Sequence, residues 1–133
     1  MSALVIDTSA WIPYLAGSGD DAVSEALDEG RVYLSPVVAA ELLSGRLTAR
    51  ERRQLEAGLE DLPMCAADRA HWFRVGALRA SLQAKGLTVS TPDAHVTQCA
   101  LDLGAELLSY DGIFVRVARY LPLKLAGGAG SGR

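Results

Sequence analysis

Short runs rich in apolar residues alternate along this chain with longer stretches in which apolar residues recur every three or four positions. The runs at residues 3–6, 32–34 and 106–109 are each about one strand long. Such continuous hydrophobicity is typical of parallel strands buried on both faces, and we expect the first run to form the central strand. The longer stretches predict helices at residues 10–15, 21–27, 37–44, after Thr48, and at 68–85, 91–104 and 113–119.

Polar residues mark where several of these helices begin. Ser35-Pro36 combines a capping hydroxyl with a proline at the first helical position, where the missing N–H costs nothing. Thr91-Pro92 repeats this pattern and places Asp93 in the first turn of its helix. Thr48 followed three residues later by Glu51 is a capping box. These signals strengthen the prediction of separate helices between the strands.

Alternating strands and helices predict an α/β fold with a central, mostly parallel sheet covered on both faces. The chain has 133 residues, 50% of them hydrophobic, which suits one globular domain with a single core. We expect that domain to occupy residues 1–125. The glycine-rich segment 126–133 is predicted to be a flexible tail.

Four acidic residues lie where carboxylates are costly. Asp7 and Asp111 each follow a strand directly, Asp93 begins a helix that must start at the same edge of the sheet, and Glu41 lies inside an apolar helix. The carboxyl ends of parallel strands open on one edge, where ligands bind, so topology brings three of these acids together. Glu41 reaches them if its helix packs beside the first strand.

Gathered carboxylates repel one another and lose hydration, so they need protons or a positive partner. A site built from carboxylates without histidine or thiolate favours the hard cations Mg²⁺ and Mn²⁺ over zinc. Such an ion polarises a phosphoryl oxygen and lowers the pKa of a bound water. The four acids therefore predict a metal-dependent enzyme that hydrolyses phosphate esters.

Net charge modifies this prediction only slightly. The formal charge is −3, which does not favour a nucleic-acid partner, but bound cations would offset the acidic site. Arginine, whose planar fork suits phosphate, is concentrated in two clusters. The charge pattern is therefore compatible with RNA binding without requiring it. The clusters are Arg46, Arg50, Arg52 and Arg53, then Arg69, Arg74 and Arg79.

The remaining reactive residue types give no motif. Cys65 and Cys99 stand alone in sequence, without the spacing of a zinc motif or a disulfide framework, and are predicted to be buried apolar residues. His71 and His95 are assigned surface or core roles, because His95 points away from Asp93 on a helix. No run is long enough to span a membrane, so no membrane association and a cytoplasmic location are expected.

The order and spacing of these residues resemble the PIN-domain family, most closely the VapC toxins of VapBC toxin–antitoxin systems. The resemblance implies a three-layer α/β/α sandwich and an endoribonuclease that needs Mg²⁺ or Mn²⁺. It also implies inhibition by a VapB-like antitoxin and a homodimer. Asp7, Glu41, Asp93 and Asp111 would be the catalytic, metal-binding residues, with Thr8 and Ser109 as supporting hydroxyls. The pattern comprises Val5-Ile6-Asp7-Thr8-Ser9, Glu41-Leu42-Leu43-Ser44-Gly45, Asp93 with Val96, Ala100 and Gly104, and Leu107-Leu108-Ser109-Tyr110-Asp111 with Phe114.

Three alternatives remain at this point. A receiver-type signalling domain binds Mg²⁺ in an acidic pocket, but it would carry adjacent acids after the first strand and a lysine at a late strand end. A haloacid-dehalogenase-type phosphatase would have an aspartate where Ser9 stands. A PIN-like protein that binds RNA without cutting it shares every residue named here.

Overall fold

The computed structural model of the protein describes residues 2–127, in which short strands alternate with helices as the sequence predicts. The first two strands are separated by two helices, and four helices separate the second strand from the third. In chain order the elements are β1 (Leu4–Ile6), α1 (Thr8–Leu15), α2 (Asp21–Asp28), β2 (Val32–Tyr33), α3 (Pro36–Leu43), α4 (Ala49–Glu60), α5 (Arg69–Ala84), α6 (Thr91–Leu103), β3 (Glu106–Leu108), α7 (Ile113–Val117) and β4 (Lys124–Leu125).

The sheet is entirely parallel, with the strand order β2-β1-β3-β4. β1 pairs with β2 through Leu4 and Val32, and with β3 through Val5 and Leu107. The prediction that β1 is a central strand is therefore confirmed. Because all strands run the same way, their carboxyl ends lie along one edge.

Helices flank the sheet on both faces, so the predicted three-layer α/β/α fold is confirmed. Successive strand residues point to opposite faces, and all three residues of β1 are buried. α6 contacts both β1 and β3 and packs along α5. The carboxyl edge of the sheet is therefore anchored in the buried core.

Two of the three predicted helix starts are correct, and one is shifted by a residue. Ser35 caps α3, and Thr48 forms the reciprocal capping box of α4. The cap of α6 is Ser90, whose hydroxyl accepts the amide of Asp93 at 3.2 Å. Thr91 is instead the first helical residue. Proline tolerates the second helical position as well as the first, so its presence did not fix the cap.

The packing of α5 also differs from the prediction. Its buried side chains are His71, Val75, Leu78 and Leu82. The helical spacing of Phe73, Ala77 and Ala80 predicts a second packed stripe, but Phe73 is 71% exposed. The expected core burial of Cys65 and Cys99 is confirmed, and both histidines occupy fully buried core positions. None of the described helices is long and apolar enough to cross a membrane.

Two short pairings were not predicted from the sequence. β4 adds a two-residue strand beside β3, and Leu34 pairs with Met64 beyond the end of β2. Ala126 is buried and donates its amide to the carbonyl of Leu107 at 2.8 Å. The predicted boundary at 125/126 stays a prediction, and residues 128–133 of the predicted tail lie outside the described part.

Replacing Ser90 with alanine should lower the free energy of unfolding by about 1 kcal/mol, because the Asp93 amide loses its side-chain acceptor. Thr91→Ala, one residue further, is the matched control and should change stability by less than about 0.5 kcal/mol. Urea unfolding in the presence of a chelator measures both variants. Equal losses for the two would contradict the assignment of Ser90 as the cap.

Candidate functional site

Three of the predicted acids lie at the carboxyl edge of the sheet. Asp7 follows β1 and precedes α1, Asp111 follows β3 within a short turn, and Asp93 lies in the first turn of α6. The amide of Asp7 donates to the carbonyl of Leu108 at 2.9 Å, which continues the β1–β3 pairing to the point where the acids begin. The strands therefore fix the backbone of this edge.

The carboxylate of Asp7 is held by two serine hydroxyls. Ser9 and Ser109 donate to the same oxygen, Oδ2, at 2.7 and 2.9 Å. Asp7 occupies the cap position of α1, yet its side chain accepts no helix amide. An aspartate at this position commonly caps the helix itself. Here the carboxylate is instead directed into the cluster at the sheet edge, with only 8% of the residue exposed.

The loop after β3 is tied to the same hydroxyls. The Ser109 hydroxyl accepts the amide of Asp111 at 3.0 Å, and the Ser9 hydroxyl accepts the amide of Tyr110 at 3.0 Å. Asp111 Oδ1 accepts the amide of Ile113 at 3.0 Å. These bonds position the Asp111 carboxylate next to α7 although the residue itself is exposed.

Glu41 reaches this edge from α3. Thr8, the first residue of α1, donates its hydroxyl to Glu41 Oε1 at 2.5 Å. α1 and α3 pack against each other, so Glu41 is brought to the helix that begins directly after Asp7. The prediction that α3 packs beside the first strand itself stays a prediction. The structure thus brings Thr8 to Glu41 and Ser109 to Asp7, so each of the two hydroxyls holds one carboxylate.

The environment of Asp93 disfavours its ionised form. Burial raises the pKa of Asp93 above its ordinary value, against the opposing effect of its hydrogen bond with Ser90. The negative charges of Asp7, Asp111 and Glu41 raise the same pKa further. The helix N-terminus was expected to favour a charge at Asp93, and this contribution is outweighed.

Among the residues that the structure describes, no cationic side chain forms an ion pair with this cluster. Within residues 2–127, the ion pairs join Arg31 to Glu29, and Arg74 and His71 to Asp102. None of them includes a carboxylate of the cluster. Oxygen donors without an ion-pair partner are the ligand chemistry that Mg²⁺ and Mn²⁺ prefer, so the residues present fit a divalent ion.

Sequence reasoning did not assign a role to Ser9, which contacts Asp7, Ser109 and the Tyr110 amide. A signal for it exists in hindsight. The second residue of a helix that follows a strand-ending aspartate can reach back to that carboxylate without any long-range pairing. The contact between the hydroxyls of Ser9 and Ser109, at 3.1 Å, is different, because these residues are 100 positions apart and meet only through the pairing of β1 with β3.

A second surface feature is an apolar cleft of about 450 Å³ between α1, α2 and α4. Trp11 lies in its wall, and the buried indole Nε1 has no hydrogen-bond partner among residues 2–127. Because Trp11 lies on an apolar helical stripe, the sequence predicts a core or interface anchor there, which agrees with this position. Prominent lining residues are Trp11, Tyr14, Leu15, Leu27, Leu55 and Leu59.

A sequence model of the PIN domain matches residues 4–120, and the chain belongs to this family. It is similar to the "VapC ribonuclease Mb1587" of Mycobacterium bovis and to "Ribonuclease VapC11" of Mycobacterium tuberculosis. Each is 31% identical over 130 residues, which cover 92% of this chain and 97% of the relative. PIN domains generally bind divalent metal ions. Family membership sets aside the receiver and haloacid-dehalogenase alternatives.

Solved structures with this fold come from toxin–antitoxin complexes. A chain of the DNA-bound VapBC from Salmonella typhimurium superposes with a TM-score of 0.75 at 19% identity, covering 95% of this chain and 98% of that one. A chain of VapBC-1 from nontypeable Haemophilus influenzae gives 0.72 at 17% identity, with 93% and 96% covered. At such identities these likenesses establish the fold alone.

Asp93→Asn should raise the free energy of unfolding of the metal-free protein at pH 7. A raised pKa means that ionising Asp93 is less favourable in the folded chain than in the unfolded one, so this loss of stability sets in as pH rises. The advantage of the variant should disappear below the ordinary aspartate pKa of 3.8. Urea unfolding in a chelator, at neutral and acidic pH, measures it.

Glu56→Gln, a substitution of an exposed carboxylate in α4, is the control and should stay within about 0.5 kcal/mol of the original protein at both pH values. Saturating Mn²⁺ should reverse the order, since the original protein retains its full set of ligands. An Asp93→Asn variant that is less stable without metal at pH 7 would contradict a repulsive cluster.

Proposed function

We propose that this PIN domain is a metal-dependent endoribonuclease and the toxin of a type II toxin–antitoxin pair. The observation that carries the proposal is a cluster of four carboxylates in which burial and the charges of the other three raise the pKa of Asp93, and which has no ion-pair partner within residues 2–127. Family membership supports it, as do relatives that carry the name ribonuclease. The reaction is hydrolysis of an RNA phosphodiester by water.

We assign the metal ligands to the four acids predicted from the sequence, Asp7, Glu41, Asp93 and Asp111, with Mg²⁺ or Mn²⁺ as the ion. When bound there, the ion supplies Lewis-acid polarisation of the phosphoryl oxygen and a lowered pKa for the attacking water. The protein's own contribution is to hold the carboxylates close together and correctly oriented.

The hydroxyl residues maintain that orientation. Ser9 and Ser109 both donate to Asp7 Oδ2, which leaves Oδ1 outside this pair of hydrogen bonds and available as a ligand. Thr8 fixes Glu41 in the same way through Oε1. Partners of this kind restrict the rotation of ligating carboxylates and commonly account for 10- to 100-fold of metal affinity or activity.

Some arginines of the two clusters bond to groups within the protein, and others are exposed and make no such bond within residues 2–127. Arg52 donates to the Leu43 carbonyl, Arg74 pairs with Asp102, and Arg79 donates to the Val89 carbonyl. We propose that the exposed arginines without such bonds bind the RNA backbone. These arginines are Arg46, Arg50, Arg53 and Arg69. We also propose that the protein acts in the cytoplasm, where RNA substrates occur.

Asp7→Asn should reduce Mn²⁺-dependent RNA cleavage by at least about 100-fold, because it removes one negative ligand while keeping the shape of the side chain. Ser109→Ala should reduce it by about 10- to 100-fold through loss of orientation. Glu56→Gln should cleave normally. The assay follows fragments of total RNA with Mn²⁺ and with excess EDTA, and full cleavage in EDTA would exclude the metal mechanism.

A PIN-like protein that binds RNA without cutting it is the alternative. It predicts that the original protein and Asp7→Asn bind a single-stranded RNA and leave its length unchanged, with Mn²⁺ present. The carboxylate geometry favours the nuclease, since RNA binding alone gives no reason to concentrate negative charge beside a polyanion.

We propose that the apolar cleft between α1, α2 and α4 receives the antitoxin. An amphipathic helix laid in the cleft would bury the exposed side chain of Leu15 against the wall that contains Trp11. The adjoining acidic site would attract an arginine or lysine of the same partner. Relatives of known structure include chains of VapBC complexes, in keeping with a VapB-like partner.

Leu15→Glu should weaken binding of the small helical protein encoded beside this chain in its native operon by about 10- to 100-fold. The reason is the loss of about 1.5–3 kcal/mol of apolar burial, worsened by a buried charge. Ile12→Glu is matched, because Ile12 is exposed on the same helix but does not line the cleft. Calorimetry measures both affinities, and equal weakening would exclude the cleft.

A homodimer also stays a proposal. α5 presents an apolar stripe to solvent at Phe73, Ala77 and Ala80, on the side away from its buried residues. Exposed apolar patches of this kind commonly mark protein interfaces. The exposed stripe on α5 therefore supports the dimer that the resemblance to the PIN-domain family predicts.

A further inference from the structure

A second polar cluster lies buried among α3, α5 and α6. Ser35 Oγ and His95 Nε2 are 2.7 Å apart, and His95 Nδ1 and His71 Nε2 are also 2.7 Å apart. His71 Nδ1 continues the chain to Asp102 Oδ2 at 3.4 Å. Both imidazoles are fully buried. The proposed nuclease mechanism uses neither of them.

The partners of this chain fix where its protons lie. Asp102 accepts from Arg74 and Gln98 and is ionised, so His71 presents N–H at Nδ1 and a lone pair at Nε2. His95 must then donate from Nδ1 and accept at Nε2 from the Ser35 hydroxyl. In this arrangement each imidazole carries one proton and keeps one lone pair, as a metal ligand must.

Two thiols complete the cluster. Cys99 Sγ lies 3.8 Å from His95 Nδ1, and one donor atom from each of His71, His95 and Cys99 falls within 4.8 Å of the others. Cys65, which follows the Leu34–Met64 pairing, is buried close enough to Cys99 for the two thiols to interact. Both sulfur atoms belong to free, buried cysteines.

We propose that this cluster is a zinc site, formed by His71 Nε2, His95 Nδ1, Cys99 Sγ and Cys65 Sγ. Two imidazoles and two thiolates are a common ligand set of structural zinc, and this ligand set disfavours Mg²⁺. With bonds of about 2.0–2.1 Å to nitrogen and about 2.3 Å to sulfur, His71, His95 and Cys99 can reach one ion by side-chain adjustment, and Cys65 would supply the fourth ligand from its place beside Cys99. The sequence spacing concealed the site because its ligands come from three separate segments.

The residues around the cluster suit this ligation. A histidine that binds zinc through one nitrogen normally donates a hydrogen bond from the other. His71 already donates from Nδ1 toward Asp102. His95 would move its proton from Nδ1 to Nε2, where Ser35 Oγ accepts it. The two thiols lose their protons to solvent, so binding one Zn²⁺ releases two protons.

The site would join the helices that carry two nuclease acids. Ser35 caps α3, which bears Glu41, and His95 lies two residues beyond Asp93 on α6. α5 contributes His71, and the segment before α5 contributes Cys65. Zinc bound there would stabilise the packing of α3, α5 and α6 beneath the carboxylates without taking part in hydrolysis. Its ligand chemistry also keeps it distinct from the hard-cation site.

Titration of the reduced, metal-free protein with Co²⁺ tests the proposal, because cobalt bound to thiolate gives a charge-transfer band in the near ultraviolet. We expect the band to saturate at one equivalent, to resist excess Mg²⁺ and to vanish when Zn²⁺ is added. Zn²⁺ in about 100-fold excess over its dissociation constant should raise Tm by about 5–10 °C. These measurements use the unaltered chain and do not depend on RNA cleavage.

Variants identify the ligands. Cys99→Ser should lose the band, whereas Asp7→Asn should keep it, because that change affects only the carboxylate site. Circular dichroism confirms that each variant folds. Absence of the band in the unaltered protein would overturn the proposal, as would its persistence in Cys99→Ser or its loss in Asp7→Asn. The proposal would also be overturned if Cys65 and Cys99 form a disulfide in air and the protein still binds no Co²⁺ after that disulfide has been reduced.

Discussion

Repulsion among carboxylates gathered at one edge of the sheet is the constraint on which this structure depends. Four anions in a partly buried space destabilise the fold unless something compensates, and no described lysine or arginine does so. The compensation available within the chain is a set of hydroxyls that hydrogen-bond to Asp7 and Glu41. Hydroxyls orient a carboxylate without neutralising it, so the charge is left for a cation.

The fold tolerates this electrostatic repulsion because hydrogen bonds and packing hold the surrounding backbone in place. β1 is buried on both faces and paired on both sides, and Asp7 extends that pairing through its own amide. α1 begins at the next residue, which leaves no flexible loop through which Asp7 could move away. Ser9 and Ser109 then connect the ends of two strands. Stability elsewhere in the core is what keeps these acids together.

Topology explains how much of the site the sequence predicted. Asp7, Asp93 and Asp111 follow from strand order and helix starts, which are local signals combined with one rule about parallel sheets. The bridging contact of Ser9 needs the register of distant strands, which local patterns do not contain. β4 has only two residues and no periodicity of its own, so its pairing depends on β3 being in place.

Helix α6 shows why the two polar clusters stay separate. Seven successive residues, from Ala94 to Ala100, are buried, so this helix has no solvent-facing side there and every polar group needs an internal partner. Asp93 faces the hard oxygen cluster, while His95 and Cys99, one turn apart, face nitrogen and sulfur. A hard cation binds weakly to the nitrogen and sulfur ligands, whereas zinc prefers a site that includes thiolates. One buried helix can therefore present two clusters without mixing their chemistry.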